Sequence, residues 1–274
     1  VLVTLAPGPG GELWDKMTAV VEQVPTLETV LQVSLAQFFV PGDVAPAPVE
    51  RSHAGRRVLD FDAECAREPG DRLVSGRDIR AGDIASYFHT GGTTGTPKIA
   101  RHTHANEVFM SWDLREFIGL RPGHVFLCGL PLFHVNGAIG TGPGAWCAGA
   151  TVLLAGMQGY RTPGLIAGFW RLVERYRVNY FSAVPTVYAS LLEVPVAGAD
   201  VSSLHYAICG AAPMPPEVFR RFEQLTGLRI LEGYGLTEAT CASCVNPPAG
   251  ERRIGSVGIP MPYQKVKAAI VGAD

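Results

Sequence analysis

The chain has 274 residues, enough for one large domain or two modest ones around a sizeable core. Hydrophobic residues make up 47% and charged residues only 18%, against about 25% charged in a typical soluble domain, which excludes a disordered chain. A net charge of −2 excludes a protein that holds nucleic acid on a basic face, and so little charge predicts that further polypeptide covers part of the surface.

The start, Val1-Leu2-Val3-Thr4-Leu5-Ala6-Pro7, has no basic flank and so does not read as a signal peptide. It also lacks a methionine, and the expectation is a sequence that begins inside a longer protein. Residues 12–24 read as a helix and 27–33 as a strand, whereas 41–80, with Pro46 and Pro48, read as a meandering surface segment. Ile84-Ala85-Ser86-Tyr87-Phe88 is an apolar strand running into a glycine-threonine loop, and a helix then runs from His104 or Ala105 to Gly119.

Four further units keep that rhythm. Residues 124–128 form a strand, a helix follows from about Gly137, and 151–154 form the next strand. The stretch 134–160 has no charged side chain, but Gly140, Gly142, Pro143 and Gly144 interrupt it; the reading is a buried helix and a buried strand, with no transmembrane segment. Residues 165–177 are helical, and 178–184 and 204–209 are strands. Pro215 and Pro216 open a helix whose apolar face is Val218, Phe219, Phe222 and Leu225, and Gly227 stops it. Residues 228–231 and 266–271 are strands, and the chain then ends abruptly at Asp274. The alternation predicts an α/β fold with largely parallel sheets and helices on both faces, in one connected unit cut at both ends.

Six cysteines are too few for a disulfide scaffold and read as reduced thiols of a cytoplasmic protein. Cys241 and Cys244 form a CxxC with no second pair at zinc spacing, which leaves two small packed residues. The strongest motif is Thr90-Gly91-Gly92-Thr93-Thr94-Gly95-Thr96-Pro97-Lys98, directly after a strand. Its glycines let backbone amides approach an anion closely, its four threonines add hydroxyl donors, and Lys98 adds a positive charge, chemistry suited to a polyphosphate. A Walker loop would need Ser or Thr after the lysine, where Ile99 stands. The second motif is Gly233-Tyr234-Gly235-Leu236-Thr237-Glu238, after the strand at 228–231. Ligands in open α/β sheets collect at such strand ends. There Tyr234 offers a flat face to a base, Thr237 a hydroxyl to a phosphate, and Glu238 an oxygen ligand to Mg²⁺.

Together with Pro131-Leu132-Phe133-His134, Val184-Pro185-Thr186, Gly210-Ala211-Ala212-Pro213-Met214 and Gly255-Ser256-Val257-Gly258-Ile259-Pro260, this pair resembles the adenylate-forming superfamily in its acyl-CoA synthetase branch, over residues 84–260. The resemblance implies that Thr90 to Lys98 cover the β- and γ-phosphates of ATP and that Gly210, Ala211 and Ala212 line the adenine site with Tyr234 stacked on the base. It places Thr237 at the α-phosphate, Glu238 on Mg²⁺, and His134 beside the acyl carboxylate and the thiol channel. Val135, Asn136, Gly137, Ala239, Thr240 and Cys241 would line an acyl pocket whose small or neutral side chains suit an apolar acid. Leu236 and Phe133-His134 stand where peptide-synthetase domains carry proline and an aspartate-based motif, which favours coenzyme A as acceptor. The chain then reads as part of a large N-terminal adenylation domain, without the small lid domain and its lysine. An acyl-AMP ligase serving a carrier protein, a non-catalytic nucleotide-binding fragment, and a homo-oligomeric state stay open.

Overall fold

The computed structural model describes residues 1–7, 12–35, 52–90, 98–156, 158–196 and 198–269. The chain divides into two units, Val1–Asp78 and Ile79–Asp274, where the sequence pattern predicts one. In the first unit, strands β1 (Leu2–Leu5), β2 (Thr29–Val33), β3 (Ser52–His53) and β4 (Arg56–Asp60) form a sheet of order β1-β2-β4-β3, with helix α1 (Glu12–Gln23) between β1 and β2. The β1–β2 and β2–β4 pairs are parallel. Trp14 and Val21, seven residues apart and so on one face of α1, pack with Val30 and Val58. Within 41–80, read as mere surface, lie β3, β4 and helix α2 (Phe61–Cys65). Asp60 caps α2 by accepting from the Ala63 N–H at 2.8 Å. These elements are too short for any period to show.

The second unit begins with an antiparallel hairpin, β5 (Ile84–His89) and β6 (Ile99–Thr103), which forms a sheet of its own. Helix α3 (His104–Ile118) follows at once, because Thr103 and Asn106 form a capping box; Gly119, at φ 75°, closes it. The central sheet runs β13-β12-β11-β10-β9-β7-β8. Its members are β7 (Val125–Cys128), β8 (Thr151–Leu154), β9 (Tyr180–Ala183), β10 (Tyr206–Cys209), β11 (Arg229–Gly235), β12 (Ala242–Val245) and β13 (Ile259–Pro260). From β8 to β11 all pairings are parallel, and β12 and β13 add antiparallel.

Alternate residues of these strands feed two cores. Leu127, Phe181, Ala207 and Ile230 face helices α5 (Phe169–Tyr176), α6 (Pro185–Leu191) and α7 (Pro216–Thr226), whereas Phe126, Tyr180 and Leu231 face α3. Helices therefore cover both faces, as the alternation predicts. The connection from β7 leads to β8 on one side, and β9 leads to β10 on the other, so the carboxyl ends of β7 and β9 flank a topological switch point.

Several boundaries differ from the sequence reading. The helix placed from Gly137 is a π-turn, Asn136–Gly140, followed by the short helix α4 (Pro143–Trp146). Strand β8, expected to be buried, is the sheet's edge, with Leu154 60% exposed. Helix α6 starts at Pro185, where the sequence reading placed no helix. No strand occupies 266–269, where the sequence placed one, and 270–271 lie outside the described residues. No helix among the described residues is long and apolar enough to cross a membrane.

Candidate active site

Three segments at the carboxyl ends of the parallel strands converge on one cavity of about 320 Å³. The first follows β7. Here the Asn136 N–H donates to His134 Nδ1 at 3.2 Å. With Nδ1 an acceptor, the neutral imidazole carries its proton on Nε2. Desolvation, and secondarily the neighbouring His89, lower the His134 pKa, so the ring is a neutral hydrogen-bond donor near pH 7. Val135 is buried in the core on the α3 face. Gly137 has to be glycine, because a Cβ there would lie 2.3 Å from the Pro131 carbonyl oxygen.

The second segment follows β10. Gly210 and Ala211 line the cavity, whereas Ala212 is exposed and does not. Ala211 has φ 70°, a left-handed conformation that costs a side-chain-bearing residue about 1–3 kcal/mol.

The third segment is β11 and its extension. Gly233, Tyr234 and Gly235, placed by the sequence reading after the strand at 228–231, continue that strand and pair with Val245, Cys244 and Ala242 of β12, with a bulge at Tyr234 and Gly235. A Cβ on Gly235 would fall 1.8 Å from the Cys241 carbonyl oxygen, so this close crossing admits only glycine. Tyr234 keeps 49% of its surface exposed at the mouth. The 3₁₀ turn Thr237–Ala239 then presents Thr237 and Glu238 to the cavity. Thr240, at φ 75° and buried, closes the turn, which is strained for a β-branched residue. The Cys241 thiol donates to the Val135 carbonyl at 3.6 Å, tying the first and third segments together. Burial pushes the Cys241 thiol up to about 12, so it packs and is no nucleophile. Cys244 is likewise a buried free thiol.

Of the residues singled out in the sequence, His134, Val135, Asn136, Gly210, Ala211, Gly233, Tyr234, Gly235, Thr237, Glu238 and Cys241 line this cavity. Gly137, Ala212, Ala239 and Thr240 do not line it. Gly91, Gly92, Thr93, Thr94, Gly95 and Thr96 lie outside the described residues. The ends of that loop are joined, since the Thr90 N–H donates to the Lys98 carbonyl at 2.8 Å.

The sequence reading missed the inner wall. Leu114 and Ile118 of α3, Phe126, Ile208 and Leu231 of the sheet, and Gly140 of the π-turn form it. Strand alternation could have revealed the sheet residues, but only once α3 was known to lie on that face. A second cavity, of about 430 Å³, adjoins the first through His134, Asn136 and Ala211; Gln158, Arg161 and Thr186 contribute its polar wall.

A crevice at a switch point, with an aromatic face, a hydroxyl and a carboxylate at its mouth and apolar depth behind, defines an α/β protein built to hold a polar head and an apolar tail together. The family model described as AMP-binding enzyme matches residues 19–274, and the chain belongs to that family. It is 39% identical to the marinolic acid–CoA ligase of Pseudoalteromonas sp. (strain SANK 73390), over 98% of this chain and 39% of that protein. Identity to the long-chain-fatty-acid–CoA ligase of Bacillus subtilis (strain 168) is 32%, over 74% of this chain and 38% of that one. Among solved structures, a malonyl-CoA ligase with methylmalonyl-CoA and AMP bound superposes with a TM-score of 0.68 at 26% identity, covering 90% of this chain and 50% of that chain. The chain thus spans half or less of each of these proteins.

Proposed function

We propose that the protein activates an apolar carboxylic acid with ATP, giving an acyl-adenylate and pyrophosphate, and that coenzyme A then displaces AMP to leave an acyl-CoA thioester. The single observation that carries this reading is the convergence of Gly210, Ala211, Tyr234, Thr237, Glu238 and His134 on one cavity with an apolar inner wall. In this reading the adenine lies against Tyr234 beside Gly210 and Ala211, and Thr237 meets the α-phosphate. The acid lies inward, with its carboxylate beside His134, whose Nε2–H donates to the carboxylate and holds it for attack on the α-phosphate. Lys98 and its loop hold the outer phosphates.

The donor set at the mouth fits Mg²⁺, which takes hard oxygen ligands and substrate phosphates: Glu238 is an exposed carboxylate with the Thr237 hydroxyl one residue away. The ion would neutralise phosphate charge there. The acyl tail meets Leu114, Ile118, Phe126, Ile208 and Leu231, and no lysine or arginine lines this cavity among the described residues. A second carboxylate or a sulfonate carried into this cavity with the tail would therefore be buried without a counter-charge, which favours apolar acids. Residues 1–274 are, in this reading, part of a larger adenylation domain in a cytosolic enzyme, with a lid domain beyond.

The test is acid-dependent ATP–pyrophosphate exchange with a panel of acids. Exchange is expected with apolar monocarboxylic acids and not with oxalate or malonate. Exchange without thioester formation on free coenzyme A would instead make the acceptor a carrier protein, and no exchange with any acid would leave a nucleotide-binding protein without this activity.

A further inference from the structure

His102 belongs to no motif in the sequence, yet the fold gives it an unusual place. It lies on β6, in the hairpin whose loop carries Lys98, and that two-stranded sheet is separate from the central one. Its imidazole is only 2% exposed and packs on Phe88 of β5, with ring centroids 5.2 Å apart. Its Nε2 lies 2.7 Å from the carbonyl oxygen of Thr237. A carbonyl can only accept, so Nε2 carries the proton and donates it. Nδ1 is then a buried acceptor, and it has no partner among the described residues. Leaving such an atom unpaired is costly, and the arrangement persists although an apolar ring would fill the same space against Phe88.

The bond reaches the first residue of the turn that presents Glu238. That turn is short, ends on the strained Thr240, and has no side-chain cap at its start. We propose that His102 is a positioning residue: it ties the hairpin that bears Lys98 to the turn that bears Thr237 and Glu238, so that the two halves of the phosphate site are held as one body before the nucleotide arrives. This rests on the reading of Thr237 and Glu238 as phosphate and metal groups. If the turn is ordered only part of the time, apparent affinity for Mg·ATP falls by that fraction, while turnover at saturation is retained.

The test uses His102→Phe, which keeps the stacking on Phe88 and removes the donor, and His102→Gln, whose amide N–H can reach the position of Nε2. Hydrogen exchange of residues 233–241 and ATP–pyrophosphate exchange are measured for both. In His102→Phe, faster hydrogen exchange confined to 233–241 is expected, with a roughly five- to tenfold higher KM for Mg·ATP, the worth of about one buried hydrogen bond. Little change in kcat is expected, and His102→Gln should restore both readouts. Unchanged hydrogen exchange at 233–241 overturns the tie, and so does a fall in kcat at constant KM. Failure of His102→Gln to recover what a folded His102→Phe has lost overturns it as well. If the wild-type protein exchanges pyrophosphate with no acid, the proposed reaction fails, and hydrogen exchange still decides whether His102 orders the turn.

Discussion

On one face of the central sheet, Leu127, Phe181, Ala207 and Ile230 lie under Phe169, Trp170, Tyr188 and Phe222, and none of these eight lines either cavity. On the other face, Phe126, Ile208 and Leu231 of the same strands look toward α3 and the turn Asn136-Gly137-Ala138-Ile139-Gly140, and a cavity of about 320 Å³ remains. The strands are shared and the alternation is the same, so the difference lies in the cover. Aromatic side chains on amphipathic helices close this part of the first face, whereas Gly140 of the π-turn withholds volume from the second. The site exists because one segment is too small to fill the space above the sheet.

The largest effect should come from the filled face and leave the site untouched. Phe222 is fully buried against Trp170, Phe181 and Tyr188, with ring centroids 5.0–6.5 Å away. Phe222→Ala should lower unfolding stability by about 3–5 kcal/mol in urea titrations, with KM values of the folded protein unchanged. A loss below about 1 kcal/mol would mean that this face is not the closed core described.

Next in size is the mouth of the open face. Glu238→Ala should reduce acid-dependent pyrophosphate exchange about a hundredfold or more, because charge neutralisation at the phosphates is lost, with stability unchanged. Unaltered exchange would sink the assignment of Glu238 to the metal. Lys98→Ala should cost less than about fivefold, since one exposed charge is screened by water and the loop's amides and hydroxyls remain.

Much of this contrast is legible in the sequence, and for unequal reasons. Strands β7 and β10 and helix α7 stand out because apolar runs and punctuating residues agree, as with Pro215, Pro216 and Gly227 around α7. The mouth is legible because Gly233, Gly235 and Glu238 serve local backbone and charge needs within a few residues of each other. The inner wall is not. Leu114 and Ile118 carry the same signature as any buried helix residue, and only the packing of α3 over the sheet brings them to Leu231. His102 escapes for the same reason, since its partner, Thr237, is 135 residues away.

A further variant probes the withheld volume itself. A Cβ on Gly140 would stand 3.3 Å from Asn136 Oδ1 and 3.4 Å from Cys241 Sγ, tight but tolerable against the ends of side chains. Gly140→Ala should therefore fold and narrow the cavity. Relative to a short acid, kcat/KM for a long one should drop roughly tenfold, the scale set by about one or two methylenes without room. An unchanged preference for acid length would mean that the tail does not lie beneath Gly140, and that the inner wall belongs to some other part of the ligand.

The smallest effect concerns what the open face costs the fold. Asp113 is fully buried on α3, beside the cavity residue Leu114. Its Oδ2 accepts from Gln264 Nε2 at 3.2 Å, and its Oδ1 has no partner among the described residues. Burial outweighs that one hydrogen bond and raises its pKa above the ordinary 3.8. A carboxyl whose pKa is raised by folding favours the native state while it is protonated, and that contribution is lost as pH rises through the folded value. At neutral pH the ionised Asp113 therefore works against the fold. Asp113→Asn keeps an acceptor for Gln264 and removes the charge, but its amide N–H₂ inherits the unpartnered position, which limits the gain. The variant should be more stable than the wild type by about 1 kcal/mol or less at pH 7, with the difference vanishing near pH 3. Urea midpoints at the two pH values decide the matter. A variant no more stable at pH 7, with the wild type's pH dependence intact, would show that Asp113 is ionised at little cost, and that the α3 face is as well satisfied as the filled one.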